Sequence, residues 1–346
     1  YFAREILQKT GVPIGIVDVN WGGTAIEPWV ATEGLALVDE LKPQFVAKQE
    51  AIKNYRAQLP KSLTELEAWI AKTRGDLASG APTTSVPAIP TTPDGGWSSM
   101  YNAMIHPIVR FPIKGALWYQ GESNGGEGVT YYDKMRALIG GWRKQWGQGN
   151  FPFYFVQLAN FQAVTEDPAG GNGWAKLREA QTKSLTIPNT GMAVIIDTVP
   201  FAERDDIHPR NKYDVGLRLA HWALGRYYGQ KQLEVSGPLF KAIKVEGGKA
   251  QLAFEHTGTG LMVGKKEGRV PAVENKGAKL KSFAIAGADK KWFWAEAVIE
   301  GKTVTVSSPD VKEPVAVRYA YQMNPDGANL YNREGLPASP FRTDDW

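Results

Sequence analysis

The chain reads as an α/β protein, a parallel sheet flanked by helices, followed by an antiparallel β-sandwich domain. Three observations predict this. Short β-branched and aromatic runs alternate with stretches of helical periodicity as far as about residue 232. Beyond that point the texture changes to short alternating segments separated by Gly, Pro and Asn turns. A length of 346 residues, with 43% hydrophobic and 11% aromatic content, suits two domains with a sizeable core. The expected division is 1–232 for the α/β domain and 233–346 for an accessory sandwich.

The elements follow in order. Tyr1 to Leu7 reads as a helix already under way, with no N-cap, no initiating Met and no signal peptide before it. So abrupt a start points to a processed or truncated product. Pro13–Val19 is rich in β-branched residues, as in a buried parallel strand, and ends in the turn Asn20-Trp21-Gly22-Gly23-Thr24. Residues 32–74 carry charges at helical spacing, broken near Pro60, and predict a helical hairpin. A Pro/Thr-rich loop, Ala81 to Gly96, leads to a helical stretch from Met100 that breaks at Pro107. Strands are expected at Gly115–Gln120, Phe153–Leu158 and Met192–Ile196, and helices at Tyr131–Trp146, Trp174–Leu185 and Tyr213–Tyr228. Such alternation places ligands at the carboxyl ends of the strands. In the last third, Ala250–Glu255, Ser282–Ile285, Thr303–Ser307 and Val315–Tyr321 have the alternation of sandwich strands.

Composition narrows the function. The formal net charge is +4, from 40 basic and 36 acidic side chains without a basic block, which argues against nucleic acid and anionic membranes as partners. No apolar run approaches membrane-spanning length. Cysteine is absent, which removes disulfides, thiol catalysis and thiolate metal sites but leaves the compartment open. No His/Asp cluster has zinc spacing, so neither a metal nor a cofactor is expected.

The run Arg204-Asp205-Asp206-Ile207-His208-Pro209 carries the sharpest chemical signal. Asp205 lies three residues before His208, the spacing of the acid and base of a hydrolase triad supplied from one turn. An N-cap or surface role for Asp205 is the bland alternative. Two more turns that follow predicted strands suit acyl transfer. The amides of Gly22 and Gly23 can face an oxyanion, as can the carboxamide of Asn124 in Gly121-Glu122-Ser123-Asn124. Residues 121–125 also fit Gly-x-Ser-x-Gly, which offers Ser123 as a nucleophile. Against that reading, Gly125-Gly126-Glu127-Gly128 delays the helix an elbow requires, and acid and base share one turn.

These residues resemble the sialate O-acetylesterase family, a branch of the SGNH hydrolases. The likeness is carried by Pro13-Ile14-Gly15-Ile16, Trp21–Trp29, Tyr101–Ile105, Trp118–Asn124, Asp206–Lys212 and Asn329–Asp344, and extends over nearly the whole chain. It implies a flavodoxin-like SGNH sheet. It also implies His208 as catalytic base, Asp205 (or Asp206) as its acidic partner, and Asn124 with Gly22 or Gly23 as oxyanion donors. Gln120 and Glu122 would line the substrate pocket, and in the family-like run Arg178-Glu179-Ala180-Gln181 Glu179 would have at most a supporting role, with a helix-surface charge as the bland alternative. Trp21, Trp97 and Trp174, read as loop residues, are the aromatic candidates for lining a sugar pocket.

One departure matters. The family's nucleophile is the serine of a Gly-Gln-Ser-Asn motif on the loop after the first strand, and no Gly-Gln-Ser occurs here. The expectation is therefore a two-chain enzyme, with the serine on an upstream N-terminal fragment that stays bound. The expected reaction is removal of O-acetyl groups from sialic acid, with acetylated xylan or another glycan behind it, in the periplasm or outside the cell. The alternatives are an esterase using Ser123 and a glycan-binding remnant without activity.

Overall fold

The structure is a computed structural model that describes residues 1–93 and 96–346. Asp94 and Gly95, at the end of the expected Ala81–Gly96 loop, lie outside the described residues. The chain divides into two compact units. One comprises Tyr1–Ile26, Pro112–Met135 and Gln148–Trp346, and the other Glu27–Phe111 with Arg136–Gly147.

In the first unit, β1 (Ala116–Trp118), β2 (Phe153–Val156) and β3 (Thr190–Ala193) form a parallel sheet in the order β1-β2-β3. Every residue of β2 is buried, as expected of a strand covered on both faces. Helix α1 (Phe2–Thr10) packs on the later helix Lys212–Trp222. Gly216 permits this contact, because a Cβ there would meet the Tyr1 Cβ at 2.6 Å. Ile6, Tyr154, Val156, Ile195, Leu219 and Trp222 are among the buried residues of the core that results.

The expected first strand is absent. Pro13–Val19 has no ladder partner and runs as irregular backbone. Ile14 reaches the core, whereas Ile16 is 69% and Val17 55% exposed. The β-branched pattern favours a strand, but a strand also needs a neighbour to take its hydrogen bonds, and β1 is the edge of the described sheet.

In the second unit the predicted helical hairpin is instead one helix, α2 (Lys42–Ser79), with Pro60 inside it. The helix is largely solvent-exposed, so water can take the carbonyl that Pro60 leaves unpaired, and no turn is forced. The single turn Thr32–Leu35 packs closely on the C-terminal part of α3 (Tyr131–Trp146), where a Cβ on Gly34 would sit 2.2 Å from the Ala137 carbonyl oxygen. Trp142 donates its indole N–H to the Trp29 carbonyl at 2.9 Å. Tyr101–Ile105 is a π turn that passes into a 3₁₀ turn at His106–Ile108, as the break at Pro107 predicts.

Helices α4 (Gly173–Lys183) and α5 (Lys212–Trp222) follow their predicted positions, and each is capped by an asparagine, Asn172 and Asn211, that accepts a backbone N–H. From β4 onward the sheets are antiparallel. One joins β10 (Glu296–Glu300), β11 (Thr303–Ser307), β5 (Lys249–Glu255) and β4 (Leu239–Glu246). A second joins β14 (Phe341–Arg342), β12 (Pro314–Tyr319), β8 (Phe283–Gly287) and β9 (Trp292–Trp294). Aromatic rings lock the two face to face, with Phe240 stacked on Phe341 at 4.7 Å and Phe254 edge-on to Phe341 at 5.8 Å. A smaller sheet joins β13 (Leu330–Asn332), β6 (Leu261–Lys265) and β7 (Val273–Glu274).

Candidate active site

The turn after β1 is the most constrained part of the site. Gly121 has φ +155°, and a Cβ there would lie 3.0–3.2 Å from Leu158, Leu177 and Gln181, so the tight turn needs glycine. Asn124 is buried. Its Oδ1 accepts the Ile26 N–H at 2.9 Å and the Gln120 amide at 2.7 Å, and its Nδ2 donates to Glu127 Oε1 at 2.7 Å. Gln120 also donates to the Thr24 carbonyl at 3.2 Å and accepts from the Tyr131 hydroxyl at 2.7 Å. Ser123 Oγ donates to the Gly23 carbonyl at 2.9 Å. The two turns, Asn20–Thr24 and Gly121–Asn124, are thus stitched together by side chains. Gly22 and Gly23 stay exposed, with no heavy atom near either would-be Cβ, and Trp21 is 62% exposed.

The Asp-Asp-Ile-His turn is much more open. The His208 side chain is 83% exposed. Asp206 Oδ1 accepts the His208 backbone N–H at 2.9 Å and lies 3.9 Å from His208 Nδ1. Asp205 is exposed, and no ion pair joins it to the imidazole among the described residues. Asp206 is also 3.8 Å from the Arg210 guanidinium.

Between these turns sit two residues that the sequence reading did not single out. Lys212, exposed at the start of α5, places Nζ 4.7 Å above the Tyr119 ring and 3.5 Å from its hydroxyl. Burial pushes the Glu122 carboxyl up, against the opposing pull of backbone N–H groups, Lys212 and His208. Burial likewise lowers the Lys212 ammonium, while Glu122 and Asp206 pull it back. Glu122, Lys212, His208 and Asp206 therefore form one electrostatic cluster. A clue lay in the sequence, since a lysine at a helix N-terminus opposes the helix dipole and calls for nearby carboxylates.

Beneath the cluster, Arg218 makes a two-pronged pair with Asp197 at 2.6 and 2.8 Å, and Tyr331 donates its hydroxyl to the same carboxylate at 3.1 Å. Asp214 pairs with Lys266 at 2.7 Å, with both side chains nearly buried. Glu179, read as a helix-surface charge, instead ties α4 to the last strands by accepting from Tyr321 at 2.5 Å and Arg342 at 2.9 Å. Its neighbour Arg178 is fully buried, with its guanidinium on the carbonyls of Leu158, Ala159, Gln322 and Met323. Among the loop tryptophans, Trp174 is core, stacked on Phe161 and bonded to the Ala159 carbonyl at 3.0 Å. Trp97 belongs to the second unit. Among the described residues, no group of three or more His, Asp or Glu side chains could hold a metal ion, and no helix is long and apolar enough to cross a membrane.

Comparison with known proteins bears on this geometry. Residues 88–224 match the family described as "carbohydrate esterase, sialic acid-specific acetylesterase". Over those residues this chain is similar to the sialate O-acetylesterase family. The rat sialate O-acetylesterase is 32% identical over 98% of the chain and the mouse enzyme 30% over 98%, with 62% of each relative covered. The chain thus spans less than two thirds of the length of the curated relatives it matches. A carbohydrate acetylesterase from Xanthomonas citri, known from its crystal structure, is 39% identical with a TM-score of 0.75, over 100% of this chain and 64% of that one. A parallel sheet with flanking helices followed by antiparallel sheets is the architecture this chain shares with that crystal structure.

Proposed function

We propose that the chain forms the larger part of a carbohydrate esterase that removes O-acetyl groups from sialic acid or a related acetylated glycan by serine-dependent acyl transfer. The single observation carrying this is the exposed His208 within electrostatic reach of Glu122, which lies on the turn whose Asn124 carboxamide is held by the Ile26 N–H, Gln120 and Glu127. His208 takes the proton of a serine as it attacks the acetyl carbonyl, then returns it to the departing sugar hydroxyl, and water releases the acetate. Asn124 and the Gly22 and Gly23 amides donate to the oxyanion, and Glu127 fixes the plane of the Asn124 amide for that task. Glu122, Gln120 and Trp21 line the sugar side. Sequence spacing favours Asp205 as the partner of His208, and the 3.9 Å approach favours Asp206. In this reading residues 1–232 are catalytic, residues 233–346 are accessory, and the enzyme works in the periplasm or outside the cell.

The serine, in this reading, comes from a polypeptide upstream of Tyr1. Two points support it. Ser123 spends its hydroxyl proton on the Gly23 carbonyl, and among the described residues no hydrogen bond joins it to His208. Ile16, Val17 and Leu117, on the unpaired Pro13–Val19 segment and the edge strand β1, leave apolar surface that an added strand would bury. Fluorophosphonate labelling with peptide mapping and intact-mass analysis tests the assignment. Label on a co-purifying peptide supports it. Label on Ser123, or a single 38.0 kDa species that hydrolyses acetyl esters, overturns it. Sugar binding with neither label nor acetate release marks a binding remnant instead.

A further inference from the structure

The antiparallel part of the chain contains a cavity of about 640 Å³ that shares no residue with the candidate active site. Its size lies in the range of small-molecule sites, roughly 300–1,000 Å³. Three strand connections build it. The turn between β10 and β11 brings Lys302, the segment after β7 brings Lys276, and the residue after β13 brings Arg333. Lys302 is steadied by a hydrogen bond from Nζ to the Gly258 carbonyl at 2.8 Å. Arg333 lies flat against Gly260, where a Cβ would stand 3.2 Å from its Nε, and its guanidinium reaches Glu274 at 3.2 Å. Lys276 has no hydrogen bond or ion pair among the described residues. Three cations therefore face the Glu274 carboxylate, with the Asn275 amide beside them, while the Thr259 hydroxyl donates to a second carboxylate, Glu334, at 2.7 Å.

We propose that this cavity binds a carboxylate-bearing sugar residue, as a second glycan site apart from the ester-cleaving one. The excess positive charge selects an anion. Glu274 argues against a dianion such as phosphate, since it would be repelled, yet it can accept a sugar hydroxyl. The Arg333 fork is taken up by Glu274, so Lys276 and Lys302 are the cations that meet the ligand's carboxylate. No ring among the described lining residues offers a stacking platform, so the polar groups must supply the selectivity, and a neutral sugar gains little here. The site does not depend on the esterase reading, because the ligand needs no acetyl group.

Titration of the whole chain by calorimetry, with methyl glucuronide and the methyl glycoside of N-acetylneuraminic acid as probes, tests it. Methyl glucoside and inorganic phosphate serve as comparisons. At least one acidic glycoside should bind saturably, with the neutral glycoside and phosphate roughly tenfold weaker or worse. Lys302→Gln and Lys276→Gln should each weaken the acidic probe about tenfold, the scale of one lost charge-assisted hydrogen bond, with the circular dichroism spectrum unchanged. His208→Ala should leave binding as it was. Absence of saturable binding, equal binding of methyl glucoside or phosphate, or indifference to both lysine substitutions in folded protein overturns the proposal.

Discussion

The two halves of the candidate site differ in how much of their geometry is held in place. Around Gly121–Asn124, buried polar atoms are bonded to named partners from Thr24 to Tyr131. Around Asp205–His208, the imidazole stands in solvent, held only through its backbone N–H and a carboxylate at 3.9 Å. The contrast teaches where preorganisation is needed. On the proposed reading oxyanion donors work by being fixed before charge develops, which suits the buried Asn124, while Gly22 and Gly23 stay exposed. An imidazole must accept and release a proton, and a solvent-exposed carboxylate–imidazole pair contributes little until substrate or another segment excludes water. On the proposed reading, the open half becomes catalytic only when something covers it.

The first way to break that contrast is at the base. His208→Ala should lower acetate release from an acetylated sugar on the order of 10⁴-fold while leaving the thermal midpoint nearly unchanged, because an exposed side chain supports no packing. Retained turnover would remove His208 from the mechanism. The paired test is Asp205→Asn against Asp206→Asn. The true partner should cost roughly 10²- to 10³-fold in kcat with KM little altered, and the other should be nearly silent. If Asp206 is the partner, its variant should also loosen the His208 backbone, visible as faster amide exchange, because Asp206 Oδ1 accepts that N–H.

How much of this was legible in the sequence depended on whether a signal was local. Tyr131–Trp146 was predicted to the residue because its apolar stripe and flanking glycines are local information. The β2 run and the start of α5 were equally plain. Pro13–Val19 carried a strand's local signal, but its hydrogen-bond partner is a non-local matter, and the segment is irregular. Pro60 misled for the converse reason, as a local breaker whose cost vanishes when the freed carbonyl faces water. In the site, the proposed roles of Asn124, Gln120 and His208 follow from motif. The coupling of Lys212 to Glu122 does not, since 90 residues separate them in sequence and only the fold brings them together. Arg178 was read as part of a motif, and its real environment of four backbone carbonyls is a property of packing alone.

The packing of α5 on α1 can be probed through pH without touching the chemistry. Burial, and then the Arg218 and Lys9 charges, push the His221 imidazole from 6.5 down to about 4. Its Nδ1 has no hydrogen-bond partner among the described residues, in keeping with a neutral ring. The unfolded chain takes up this proton near pH 6.5, the folded chain only near 4. Between those values the unfolded state binds more protons, so stability is whole above pH 6.5 and falls as pH drops toward 4. With allowance for partial solvent access, the loss is about 2 kcal/mol. Urea midpoints measured from pH 7 to pH 4 should show this decline, and His221→Gln should flatten it. A decline that persists in the variant would assign the effect to other groups.

The finest test uses two glycines, one from each of the stitched turns. Gly121→Ala puts a methyl at φ +155° and 3.0–3.2 Å from Leu158, Leu177 and Gln181, none of which can retreat from a packed interior without opening space elsewhere. Strain and crowding together should cost about 2 kcal/mol, read as a lower urea midpoint, with kcat falling because Asn124 shifts with the turn. Gly23→Ala also meets a positive φ, +75°, but its methyl would point into open space. Only the backbone term remains there, about 1 kcal/mol. If both substitutions cost the same, the Asn20–Thr24 turn is as tightly held as its partner, and the open face beside it is not waiting for a neighbour. A Gly23→Ala penalty that grows when the upstream peptide is present would instead show that the same open space is filled in the assembled enzyme.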